Sequence, residues 1–162
     1  MTHADTTMNL SAMIGYPVIE TQRDGYVIST NKTRLDVSAI HAYLTRSYWS
    51  PGIPRAVVEK AIAGSLCFGL FSRQGNQVGF ARAITDGATF AYLADVYVLE
   101  EHRGKGLGKW IVETILAHPS LQGLRRILLA TRDAHELYAQ FGFEPLATPE
   151  SFMSIHRPNV YG

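Results

Sequence analysis

The stretch DVYVLEEHRGKGLGK, residues 95–109, decides how this chain is read. Its start is β-branched and aromatic, as a strand is. Gly104, Gly106 and Gly108 then interrupt it, and glycine is the residue that accepts positive φ and lets the backbone come close to a ligand. From there Leu107, Trp110, Ile111 and Ile115 recur at helical spacing and give the following helix one apolar stripe. A strand, a glycine turn and a helix N-terminus in that order gather free N–H groups and the positive end of a helix dipole at one point. Arg103, Lys105 and Lys109 add cationic side chains to the same turn. A phosphate or pyrophosphate suits such a place.

The spacing separates the known phosphate-binding turns. A dinucleotide fingerprint G-x-G-x-x-G would need glycine at 109, where Lys109 stands. A Walker loop ends in Gly-Lys-Ser/Thr, and here Gly108-Lys109 is followed by Trp110. On the glycines alone, a tight strand-to-helix turn with solvated charges is the competing reading.

Working outward, residues 89–99 read as one long strand, preceded by an Asp86-Gly87 turn. Residues 66–72 and 77–85 read as a hairpin around Gln74-Gly75-Asn76. Residues 26–30 form a short strand. Asp36 looks like the N-cap of a helix reaching about residue 47, with Val37, Ile40, Tyr43 and Leu44 on one face. Residues 48–54 hold two prolines and a glycine and must be a loop. A second helix is expected over 54–63. On the other side, 107–118 is a helix, 126–131 a short strand, 134–141 a short helix ended by Gly142, and a last strand is expected within 152–156. A meander followed by strand–helix–strand–helix predicts an α/β fold of the α+β type, with a mixed, mostly antiparallel sheet flanked by about four helices.

Composition narrows the function classes. The chain has 162 residues, 15 Lys plus Arg against 14 Asp plus Glu, and 46% hydrophobic residues. That length suits one domain, expected over 16–162 behind a flexible extension at 1–15. A net charge of +1 offers no field for nucleic acid or an anionic membrane. The lone cysteine, Cys67, rules out an internal disulfide and fits a reducing, cytoplasmic compartment. The six histidines lie far apart, without zinc-type spacing, so no metal is expected. The longest apolar run, 61–71, falls short of the ~18 residues of a spanning helix, and the first 14 residues lack the pattern of a secretory leader.

The segment Arg103-Gly-Lys-Gly106-Leu-Gly108 resembles the Q/R-x-x-G-x-G/A signature of the GNAT acetyltransferase superfamily. Asp95-Val-Tyr-Val98 looks like that family's fourth strand, and Leu137-Tyr138-Ala-Gln-Phe-Gly142-Phe143 like its closing tyrosine helix and Gly-Phe turn. The resemblance implies acetyl-CoA as co-substrate and a sheet splayed between the family's fourth and fifth strands. It implies that the N–H groups of Gly104, Lys105, Gly106, Leu107 and Gly108 hold the pyrophosphate, with Arg103, Lys105 and Lys109 near it. Val96, Tyr97 and Val98 would then pair with the pantetheine arm like an added strand. Where the family often has a pantetheine-contacting asparagine, this chain has Thr131, a partial substitute.

Family members transfer acetyl to an amine by direct attack in a ternary complex. Freeing a lysine-like amine of its proton at pH 7 costs roughly 4.6 kcal/mol, so a base or a depressed amine pKa is needed. Tyr138 occupies the position of the family's proton donor to the departing thiolate. Asp95, a carboxylate in an apolar strand, is the candidate base or water relay, or else the structural partner of Arg82. The polyamine-acetylating branch has its glutamate one position earlier, where Ala94 stands here. For the acceptor pocket the candidates are Tyr48 and Trp49 on the 48–54 loop, with Arg82 and Tyr92 on neighbouring strands. A small-molecule amine, a peptide N-terminus and a lysine side chain all fit. A non-catalytic acyl-CoA-binding module is the alternative, and a homodimer is compatible with the family.

Overall fold

The structure is a computed structural model and describes residues 15–162. The expected extension at 1–15 therefore lies outside the described residues except for Gly15. Six strands form one sheet in chain order: β1 (Glu20–Arg23), β2 (Tyr26–Ser29), β3 (Leu66–Phe71), β4 (Gln77–Thr85), β5 (Phe90–Val98) and β6 (Arg126–Leu129). Every pairing is antiparallel except β5 with β6, which is parallel. Among the described residues four α-helices accompany the sheet: α1 (Val37–Leu44), α2 (Arg55–Ala63), α3 (Leu107–Ala117) and α4 (His135–Ala139). This is the mixed sheet and helix count that the residue pattern predicts.

Two apolar clusters lie on opposite faces of the sheet. On one, Leu66, Phe68 and Leu70 of β3 and Ala81 and Ala83 of β4 pack with Trp110, Ile111 and Ile115 of α3. On the other, Cys67, Phe80 and Tyr97 pack with Ile40 and Leu44 of α1 and Val58 and Ile62 of α2. The alternation along β3 follows the two-residue period of a strand covered on both faces. Cys67 is core, and burial pushes its thiol up to about 11, which leaves it unreactive at neutral pH. Asp36 caps α1 as expected, its Oδ1 accepting from Ala39 N–H at 3.0 Å.

Two elements differ from expectation. β1 was not foreseen, because Glu-Thr-Gln-Arg carries no apolar alternation. Its signal was the turn: Asp24 (φ 52°) and Gly25 (φ 83°) form a two-residue hairpin closing Arg23 against Tyr26. Conversely, the strand expected within 152–156 does not form. A 3-10 turn at Pro149–Ser151 is followed by irregular chain, with Met153 98% and Ile155 84% exposed. Its alternating apolar residues meet no ladder, since β6 ends the sheet.

The end of α3 carries a titratable tether. His118 is fully buried, and its Nδ1 accepts from Ser120 N–H at 3.0 Å, which leaves Nε2 to donate to the Pro17 carbonyl at 3.0 Å. Burial lowers its pKa, and the Pro17 carbonyl opposes that only in part. Below the ordinary histidine value of about 6.5 the unfolded chain binds a proton that the folded chain refuses, so stability falls as pH falls. Urea unfolding should show stability falling as pH drops below about 6.5, with a slope smaller than the ~1.4 kcal/mol per pH unit of one whole proton. That slope should be shallower in His118→Leu; an unchanged slope would remove this histidine from the account.

Candidate active site

The site begins with an irregularity in β5. Phe80 pairs with Tyr97 and Arg82 with Ala94, so Asp95 and Val96 together face the single residue Ala81. This is a β-bulge, with Asp95 in the left-handed region at φ 57°. Above it the faces exchange. Ala91 and Leu93 point into the α3 cluster, and beyond the bulge Tyr97 points to the opposite one. β6 follows β5 only from Phe90↔Arg126 to Leu93↔Leu129. The edge of β5 from Ala94 to Val98 therefore faces a cleft of about 1090 Å³ instead of a strand. This divergence is the splay that the resemblance implied.

The bulge carries a buried ion pair. Asp95 Oδ2 accepts from Arg82 Nε at 2.5 Å, and Oδ1 accepts from Trp49 Nε1 at 2.9 Å. Arg82 also donates through Nη1 to Ser65 Oγ at 3.1 Å. The pair is well shielded, with side chains 17% and 7% exposed. Both carboxylate oxygens are thus engaged by donors from the loop and β4, so Asp95 sits in the cleft wall with its acceptors occupied. Beside it Tyr97 stacks on Tyr43 of α1, rings 3.7 Å apart and 10° from parallel. Burial, then the neighbouring Tyr43 and Asp95, push the Tyr97 phenol above its ordinary value.

The glycine turn lies at one end of this edge. Gly104 and Gly106 have φ of 78° and 75°, and nothing lies within 4 Å of a Cβ built on either. Glycine is required there by conformation rather than by crowding. Gly106 is the N-cap of α3 and offers no side-chain acceptor, and Trp110 N–H is the first donor to close on it, at 3.1 Å. The N–H groups of Leu107, Gly108 and Lys109 have no helical partner by geometry. Arg103 lines the cleft, but its Nε donates to Val98 O at 2.9 Å and its Nη2 to Tyr43 Oη at 3.2 Å. Lys105 turns out of the cleft. Its Nζ donates to Tyr26 Oη at 3.3 Å, beside a separate hollow shared with His102 and Arg73. Lys109 is exposed on the first turn of α3.

Across the cleft, Thr131 Oγ1 accepts from Ala134 N–H at 3.1 Å and so caps the turn into α4. Tyr138 of α4 reaches the cleft with 8% exposure and packs edge-on against Phe143. Burial pushes its phenol up to about 12, with smaller contributions from Tyr48 and Asp133. Tyr48 and Tyr92 line the same space. The geometry thus gathers Tyr48, Trp49, Arg82, Tyr92, Asp95, Val96, Tyr97, Val98, Arg103, Thr131 and Tyr138 at one cleft, and leaves Gly104, Lys105, Gly106, Leu107, Gly108 and Lys109 outside its lining. The lining also includes Tyr43, expected only as a helix-stripe residue, and Arg46 and Arg132, which were not among the site candidates.

A family model described as "Acetyltransferase (GNAT) domain" matches residues 63–145, which span β3 to the turn after α4. The chain belongs to the GNAT acetyltransferase family. A Gibberella zeae protein described as an acetyltransferase candidate is 36% identical, over 73% of this chain and 78% of its own. A GNAT acetyltransferase candidate of known structure from Xanthomonas campestris is 51% identical, with a TM-score of 0.82 over 84% of this chain and 96% of that one. N-acetylglutamate synthase from Neisseria gonorrhoeae, solved with coenzyme A, shares the fold at 21% identity and a TM-score of 0.63, over 80% of this chain and 31% of that one. This GNAT protein is accordingly an acyltransferase. Among the described residues no helix is long and apolar enough to cross a membrane, and no group of three His, Cys, Asp or Glu side chains could hold a metal ion.

The ion pair makes a stability prediction for the enzyme. Removing one member of a buried pair strands the other charge, which typically costs about 3 kcal/mol or more. Arg82→Met should lower the unfolding free energy by that order, and adding Asp95→Asn should recover most of it. Denaturant titration of the single and double variants measures the difference. Simple additivity of the two losses would contradict this account.

Proposed function

We propose that this chain moves the acetyl group of acetyl-CoA onto a primary amine of a small molecule or peptide, by direct attack within a ternary complex. The observation that carries the reading is the free edge of β5, with a glycine turn at one end and Tyr138, a largely buried tyrosine, across the cleft. Acetyl-CoA supplies an activated thioester and a thiolate leaving group. The donor set fits it. The N–H groups of Gly104, Lys105, Gly106, Leu107 and Gly108 suit a pyrophosphate, with Arg103 and Lys109 as nearby cations. The backbone of Val96, Tyr97 and Val98 offers the ladder groups that an extended amide-bearing arm needs. The Val98 carbonyl already accepts from Arg103, so Arg103 moves aside or pairing relies on the remaining groups. The Thr131 hydroxyl proton stays free to donate while its oxygen caps α4.

As the new C–N bond forms and the C–S bond breaks, Tyr138 gives its phenolic proton to the departing sulfur. Burial that holds the phenol near pKa 12 keeps this proton in place at every working pH. The amine proton leaves through water in the cleft, and a proton returned through that water restores the Tyr138 phenol. Asp95 stands in the wall beside that water, and its engagement by Arg82 and Trp49 favours fixing the loop and the bulge over taking the proton itself. Residues 16–162 serve this chemistry as one unit in this reading.

Following thiol release with acetyl-CoA and an amine panel tests the proposal. Tyr138→Phe should lower kcat about 100-fold and leave the KM for acetyl-CoA within about threefold, as expected for loss of a positioned proton donor. In the parent protein kcat/KM should rise with pH as the amine deprotonates, with no fall from Tyr138 until its own pKa near 12. Coenzyme A binding without turnover, indifferent to Tyr138→Phe, would support the non-catalytic module instead.

A further inference from the structure

Beyond the Arg82–Asp95 pair, the cleft carries Arg46, Arg103 and Arg132 against Glu100, Glu101 and Asp133. None of these six makes an ion pair with another described residue. Arg103 is occupied by the Val98 carbonyl and Tyr43. Arg46 and Arg132 are held by aromatic faces alone. The Arg132 guanidinium lies 3.8 Å from the centre of the Tyr48 ring, and that of Arg46 lies 5.6 Å from the Tyr43 ring. Stacking fixes the plane of a guanidinium and leaves its N–H fork unpaired. At Arg132 the arrangement is locked further, because Tyr48 Oη accepts the Arg132 backbone N–H at 3.4 Å.

Tyr48 therefore joins the 48–54 loop to the turn before α4. Both Tyr48 and Asp133 are near enough to Tyr138 to shift its pKa. The oriented fork of Arg132 thus lies at the same end of the cleft as the proton donor, with the free carboxylate of Asp133 beside it in sequence. An oxyanion is the complement of such a fork. The cationic and anionic side chains that line the cleft balance, so a dianion would unbalance it, whereas a zwitterion adds no net charge.

Resting on the transfer reading above, we propose that the acceptor is a small amine that also bears a carboxylate, with Arg132 as the residue that selects it and Arg46 as a second cation on the aromatic wall. The carboxylate accepts from the Arg132 fork, and Tyr48 holds that fork in place. The amine is thereby aimed from the acceptor side toward the thioester carbon, within reach of the Tyr138 end of the cleft.

The test uses matched acceptors with the full chain and acetyl-CoA: lysine against cadaverine, tyrosine against tyramine, and 4-aminobutyrate against butylamine. The carboxylate-bearing member should have a kcat/KM at least about 10-fold higher, as one charge-assisted contact implies. In Arg132→Gln this ratio should collapse toward one, mainly through the acceptor KM. Tyr48→Phe should retain much of the ratio and Tyr48→Ala lose most of it, since the stack survives only in the first. Calorimetric titration of N-acetyl amino acids against their decarboxylated N-acetyl amines, with coenzyme A present, reads the same preference without turnover. A ratio near one in the parent protein, or one that survives Arg132→Gln, overturns the carboxylate assignment while leaving acetyl transfer standing. Absence of turnover in every arm overturns the transfer reading itself, and equal binding of the two product classes then overturns this inference as well.

Discussion

The bulge at Asp95, and the two donors that hold its carboxylate, are what the rest of the molecule depends on. A buried carboxylate in a strand must be satisfied, and satisfying it brings Arg82 from β4 and Trp49 from the 48–54 loop to one point. The same extra residue rotates the upper half of β5 so that Tyr97 faces α1. It also lies at the height where β6 leaves its neighbour. One local irregularity therefore sets the wall of the cleft, anchors the 48–54 loop and marks the start of an unpaired strand edge.

The two ends of the cleft are built differently. At the glycine turn the backbone N–H groups are unpartnered by helix geometry, and the side chains there are only loosely committed: Lys105 turns toward Tyr26, and Lys109 stands in solvent. At the opposite end the side chains are specific and aromatic. Tyr48 meets Trp49 edge-on and holds Arg132, and Tyr138 packs against Phe143. A backbone-lined end suits a donor shared by a whole family, while a side-chain-lined end suits an acceptor peculiar to one member.

Much of this was legible in the residues. The period change from helix to strand after residue 64, the hairpin at Gln74-Gly75-Asn76 and the glycine turn all lie where the sequence places them, because each is fixed by contiguous residues. β1 was missed although Asp24-Gly25 announces a hairpin, because its partner segment is polar and only pairing with β2 makes it a strand. The segment 152–156 failed in the other sense, with suitable alternation and no neighbour to pair with.

The sequence by itself determined the order of elements from β2 to α4, the membership of the family and the positions of Gly104, Gly106 and Tyr138, since periodicity and the need for positive φ are local properties. Only the tertiary structure decided that Asp95 is clasped by Trp49, 46 residues away, that Arg103 folds back onto Val98, and that Arg132 lies on Tyr48. Which group satisfies a buried charge, or which ring a cation covers, depends on packing across the sheet. Chain-distant partners meet there only after both faces have closed.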